Sequence, residues 1–223
     1  MSQRSKYDIN AVVEGIARNV LDGAGSRPIV FLDSGAIIDF EREVLKKWRL
    51  SDVRAASSET FYGLLSDRIP GLFVSEHIIG EVRPHCECNT INGRPEVSDQ
   101  TIYALGKLHE SYCGFIRDIS GTGIEMDLAR YQTFHASSMA FEKDHKKSCL
   151  DPISRTDKEL IALALWSKYT CSPSYFDQNV PVSQSVIISP DNHIIRTIGV
   201  LSGKNFDHNG LRVVNSREVC SKR

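Results

Sequence analysis

Long apolar runs are missing from this chain. No stretch approaches the ~18 apolar residues at which a membrane span becomes plausible, so no spanning segment and no membrane partner are expected. The opening residues, MSQRSKYDINAVVEGIARNV, alternate polar and apolar side chains and lack the uninterrupted apolar stretch and cleavage site of a secretory signal, so a cytoplasmic protein is expected. Charge of one sign is missing too. Twenty-seven Lys and Arg stand against 28 Asp and Glu, a formal net charge of −1. No global basic excess draws nucleic acid, and any polyanion site must be local or metal-mediated. Repeats and low-complexity tracts are absent, and the composition disfavours disorder, collagen and coiled coil,. Six cysteines in a chain without a secretory signal are expected to be reduced thiols,. His85-Cys86-Glu87-Cys88 has the form of half a zinc site, but the nearest second pair, His109 and Cys113, is an ordinary helical i, i+4 spacing,.

What is present is an ordinary globular composition, 41% hydrophobic and 25% charged over 223 residues. That length suits one domain with room for insertions. Val13, Ala17 and Leu21, with Ile16 and Val20 beside them, predict an amphipathic helix over 8–22 that stops at Gly23,. Four short apolar runs read as buried strands: Ile29-Val30-Phe31-Leu32, Leu72-Phe73-Val74, Val186-Ile187-Ile188 and Leu211-Arg212-Val213-Val214,. Between them the periodicity predicts helices near 36–48, 57–67, 75–83, 99–118, 123–145, 157–169 and 191–199. The polar stretches 86–98 and 171–185 read as loops. Continuous apolar strands alternating with helices predict a parallel sheet covered on both faces.

Open parallel sheets collect ligands outside the carboxyl ends of their strands. Asp33 directly follows the first strand, and Asp191 follows Ser189-Pro190 at the end of the third. If those strands are neighbours, the two carboxylates converge. Each acid also has a plain structural reading. Asp191 suits a helix start, with Ser189 as cap and Pro190 in the first turn. Asp157 falls in the capping box Thr156-Asp157-Lys158-Glu159. Glu81 flanks the buried stripe of Ile78 and Val82, where a carboxylate needs a partner such as Arg83,.

Four segments occur in a telling order. PIVFLDSGAIIDF ends a strand on Asp33 and Ser34; LFVSEHIIGEV sets Glu81 six positions after Ser75; ISRTDKELIALALWSKY opens an Ala- and Leu-rich helix with Asp157; VIISPDNHII joins Ser189 to Asp191. Together they resemble the PIN domain (PilT N-terminus) family of metal-dependent nucleases, which includes VapC-like toxins and RNA-processing endoribonucleases. The resemblance covers roughly 28–85, 150–170 and 186–215. It implies a single domain over 1–223, a three-layer α/β/α sandwich with a central, mostly parallel sheet. The N-terminal helix region 1–27 and a helical insertion at about 86–150 would be elaborations. It departs from the family at His193, where many members carry a further acid, and at 150–153, which offers only a fragment of the expected strand.

The resemblance also implies chemistry. Hard divalent cations such as Mg²⁺ and Mn²⁺ take oxygen ligands, which a rim of acids supplies. Asp33 and Asp191 would hold the principal ion, with Glu81 and Asp157 as direct or water-mediated ligands, and these four would be the catalytic and metal-binding set. Ser34, Ser75, Ser189 and His193 would orient them. Single-stranded RNA is the implied substrate and a 5′-phosphate the product end; an antitoxin or other protein partner and a homodimer fit the same family. Lys46-Lys47-Trp48-Arg49, followed by Arg54, offers cations and an aromatic for RNA, or a solvated helix end,. Two other readings compete. One is a non-catalytic PIN-like module that binds RNA or protein. The other is a haloacid-dehalogenase-like phosphatase, which needs a second Asp two residues after the first, where this chain has Gly35.

Overall fold

The computed structural model describes residues 8–24, 28–51, 57–87, 96–121, 154, 156–157, 159–161, 163–164, 184–195, 198 and 211–221. β1 (Ile29–Leu32) is buried at all four positions, which is why its sequence shows no polar alternation,. It pairs with β2 (Leu72–Phe73) on one side and β3 (Ser185–Ile188) on the other, and β4 (Leu211–Val214) lies beyond β3. The order is β2-β1-β3-β4 and every pair is parallel. Among the described residues the architecture is α/β with a four-stranded parallel sheet, compatible with a three-layer α/β/α sandwich.

The predicted N-terminal helix is α1 (Ile9–Leu21), capped by Asp8, whose carboxylate accepts the amides of Asn10 and Ala11,. Gly23 follows with φ of +70°, a left-handed stop that suits glycine,. Ile9, Val13, Ile16, Ala17 and Val20 enter the common core, so this helix is integral to the body.

The single helix expected over 36–48 is three pieces. α2 (Ser34–Phe40) passes through a π-helical turn, Glu41–Leu45, into α3 (Lys46–Ser51). The wider turn brings Glu41 inside, 2% exposed, where it accepts hydrogen bonds from Arg49 at 2.9 Å, from Ser58 and from Thr101. Ser58 opens α4 (Ser58–Arg68), so this buried carboxylate ties neighbouring helices together.

α5 (Glu76–Glu87) continues past Pro84, where the sequence predicted an end, because that residue lies on the exposed side,. α6 (Asp99–Gly121) opens the expected insertion yet belongs to the core. The Phe115 ring stacks on Phe73 at 5.0 Å, and Tyr112 packs at 5.9 Å from both Phe31 and Phe73. A two-residue β2 needs this cover. The C-terminal α7 (Ser216–Ser221), not foreseen, is held where Ser216 Oγ donates to buried Asp39 at 2.6 Å. The described residues within 156–164 and 192–195 are helical, as expected. The helix expected over 123–145, the strand fragment at 150–153 and the loop from 171 up to 183 lie outside the described residues. Among the described residues no helix is long and apolar enough to cross a membrane.

Candidate functional site

Parallel pairing puts the carboxyl ends of β1, β2 and β3 at one edge. Leu32 pairs with Ile188 and Phe31 with Phe73, so Asp33 falls between Ser189, one position past β3, and Ser75, two positions past β2. The backbone extends that contact, with Asp33 N–H donating to the Ile188 carbonyl at 3.0 Å. Asp33 stands at the N-cap of α2 but its side chain makes none of the usual capping hydrogen bonds to the second or third amide of that helix,. Instead Oδ2 accepts the Ser189 hydroxyl at 2.7 Å, and Ser34 Oγ approaches Oδ1 at 3.4 Å. Ser75, buried, accepts the Ile79 amide through its carbonyl as α5 begins.

The other two aspartates are placed by helix caps, though not the caps the sequence suggested. Asp157 pairs with Ser154: Ser154 Oγ accepts the Asp157 amide at 3.0 Å, and Asp157 Oδ2 accepts the Ser154 amide at 3.3 Å. This reciprocal box replaces the one expected to open at Thr156. The signal was present as Ser154 three positions before an acid. Asp191 is itself a cap, its Oδ1 accepting the His193 amide at 2.6 Å,. Ser189, expected to cap that helix, is committed to Asp33, while its oxygen also accepts the Asp191 amide at 3.0 Å. His193 orients Asp191 through its main-chain amide.

Electrostatics joins the four acids. Burial raises the Asp33 carboxyl from 3.8 to about 6, and the charges of Asp157 and Glu81 push it the same way, while the Ser189 hydroxyl and the Ser34 amide pull it down,. Burial also raises Asp157, opposed by Ser154 and reinforced by Asp191 and Glu81. Each acid is thus coupled to at least one of the others. Glu81 is half-buried, and no ion pair joins it to the exposed Arg83. An oxygen-only donor set under mutual repulsion fits a hard divalent cation, which would relieve the strain between the charges. As the side chains stand, no group of three or more His, Cys, Asp or Glu among the described residues is close enough to hold an ion together.

Gly35 explains the tightness of this edge. A Cβ built there meets Pro190 Cγ at 2.7 Å and Cδ at 2.9 Å. A side chain at position 35 therefore has no room, the second Asp of a dehalogenase-like phosphatase included. The neighbouring His77, which sequence reading passed over, lies one turn before Glu81 and pairs with Glu159 at 3.1 Å, linking α5 to the helix that carries Asp157.

The expected RNA patch is corrected in part. Trp48 is 4% exposed and presents no face for stacking. Arg49 turns inward to Glu41, Ser58 and Ser98. Lys46 and Lys47 are exposed, and Lys47 pairs with Glu43 at 2.6 Å. Arg54 and Cys88 lie outside the described residues. The remaining half of the zinc signature is otherwise engaged, His85 with Glu96 at 2.9 Å and Cys86 with Asp99 at 3.0 Å.

Fold and site define an α/β domain with a coupled acidic rim at the carboxyl edge of a parallel sheet. No family model, curated protein or solved structure matches the chain.

Proposed function

We propose that the protein is a divalent-metal-dependent endoribonuclease of the PIN type, acting on single-stranded RNA. The observation that supports this reading is the electrostatic coupling of Asp33, Glu81, Asp157 and Asp191 at one strand edge, with Asp33 raised to about 6. These four carboxylates would hold Mg²⁺ or Mn²⁺. The bound ions would activate water and stabilise the leaving oxygen of an in-line phosphodiester displacement. The chain's own part is to fix the acids. Ser189 orients Asp33, the His193 amide orients Asp191, and Ser154 orients Asp157. Burial of Asp33 keeps bulk water from competing at that carboxylate,.

A non-catalytic PIN-like module is favoured by one specific observation, the lack of three acids at ion-holding distance among the described residues. Cleavage of single-stranded RNA with Mg²⁺ or Mn²⁺, wild type against Asp33→Asn, separates the two. Cleavage by wild type alone supports the nuclease. Equal cleavage by both proteins sinks the site, and a folded wild type that neither cleaves nor binds either metal by calorimetry favours the module.

A further inference from the structure

Two thiols of this chain meet different chemistry. Cys86 Sγ donates to the carboxylate of Asp99 at 3.0 Å, so its one shown partner is an acceptor. Cys113 is exposed on α6, one turn after His109, and its Sγ lies 3.4 Å from His109 Nε2,. The far side of the same ring is anchored, with Nδ1 at 3.1 Å from the carbonyl oxygen of Val74. A carbonyl only accepts, so Nδ1 carries the proton and Nε2 of the neutral ring presents a lone pair. The thiol is then the donor in the Cys113–His109 contact. Val74 is fully buried directly after β2, so the anchor belongs to the rigid sheet edge. Nucleophile, base and orienting group thus stand in the spatial order that activated nucleophiles require.

We propose that Cys113 and His109 form a thiol–imidazole dyad, a modification site that reacts with hydroperoxides. The sulfur attacks one peroxide oxygen, forming an S–O bond as the O–O bond breaks. His109 Nε2 takes the thiol proton and returns it to the departing oxygen, which leaves as water when hydrogen peroxide is the oxidant. Sulfur is oxidised by two electrons to the sulfenic acid and the peroxide is reduced. The dyad stands independently of the acidic rim.

The test is performed on the whole chain with limiting hydrogen peroxide, dimedone as the sulfenic acid trap and peptide mass mapping. Cys113 is expected to form its adduct on the order of a hundredfold faster in the folded protein than in urea, the lower end of general-base assistance. A thiol that is merely accessible gains nothing from the fold, so a folded rate at or below the urea rate overturns the dyad. His109→Asn keeps an amide donor at the Nδ1 position for Val74 but supplies no base, and is expected to return Cys113 to its urea rate. An unchanged rate in that variant, with wild-type circular dichroism, also overturns it. Should His109→Asn not fold, the wild-type ratio decides alone.

Discussion

The Ser189 hydroxyl donates a 2.7 Å hydrogen bond to Asp33, joining the ends of two adjacent strands across 156 positions of sequence. That bond is the main influence holding the Asp33 carboxyl down against burial. Ser189→Ala leaves the carboxylate short of a donor, so the Asp33 carboxyl moves further above about 6, and the fold loses about 1–3 kcal/mol,. Carboxyl NMR titration and urea denaturation read the two effects. An Asp33 that titrates unchanged in the variant removes the bond from the account.

Asp33→Asn separates stability from chemistry. The folded carboxyl at about 6 binds its proton more tightly than the unfolded group at 3.8. Native protein therefore holds more protons than unfolded protein between those values, and Asp33's contribution to stability falls as pH rises from 3.8 to about 6,. Above that window the ionised group costs on the order of 3 kcal/mol. In EDTA at pH 7.5, Asp33→Asn is expected to melt above wild type and to lose that decline. A variant melting below wild type at pH 7.5 contradicts the assigned cost of burying the ionised carboxylate.

Divalent cations should reverse the same cost. Binding to the folded state alone raises stability with concentration, so Mg²⁺ or Mn²⁺ is expected to raise the wild-type melting temperature more at pH 7.5 than at pH 5. Differential scanning fluorimetry of wild type and Asp33→Asn measures it. Equal shifts in the two proteins would place the cation elsewhere.

Gly35→Ala tests packing at the strand edge. The added methyl meets the Pro190 ring at 2.7 Å, and a ring fused to the backbone yields little. The expected loss is about 1–3 kcal/mol, the usual range for overpacking. A neutral result in thermal denaturation would mean that the chain after β3 moves freely.

Arg49 and Lys46 are neighbours on α3 with different expected costs. Removing Arg49 leaves buried Glu41 without its cation, so Arg49→Met is expected to destabilise by about 3–5 kcal/mol,. Lys46→Ala, at an exposed position, should stay within about 0.5 kcal/mol,. If RNA binding is lost in Arg49→Met while its urea midpoint is unchanged, Arg49 faces substrate and the inward pairing is wrong.

The strands were legible because their burial is written as uninterrupted apolar runs, with Ile29–Leu32 and Leu211–Val214 falling where the runs fall. The position of Asp33 at a strand end was legible for the same reason, and the adjacency of β1 and β3 supplied what the sequence left conditional. The π turn was not legible, since a one-residue widening leaves the local apolar pattern nearly unchanged while carrying Glu41 inward. Trp48 was misread for a related reason: cations surround it in sequence, and only the rotation of α3 decides which face it joins. Both helix caps slipped by two residues, from Thr156 to Ser154 and from Ser189 to Asp191, because Ser, Thr and Asp are all competent caps and each segment offers two of them,.

The sheet order carries a last consequence, for synthesis on the ribosome. β1 emerges well before its partner in the middle of the sheet, β3, which follows it at a distance of 156 positions in the chain (from Ile29 to Ser185). A growing chain displays Asp33 long before Ser189 and Asp191 exist to complete the edge. Whatever chemistry the rim performs, truncated products cannot perform it.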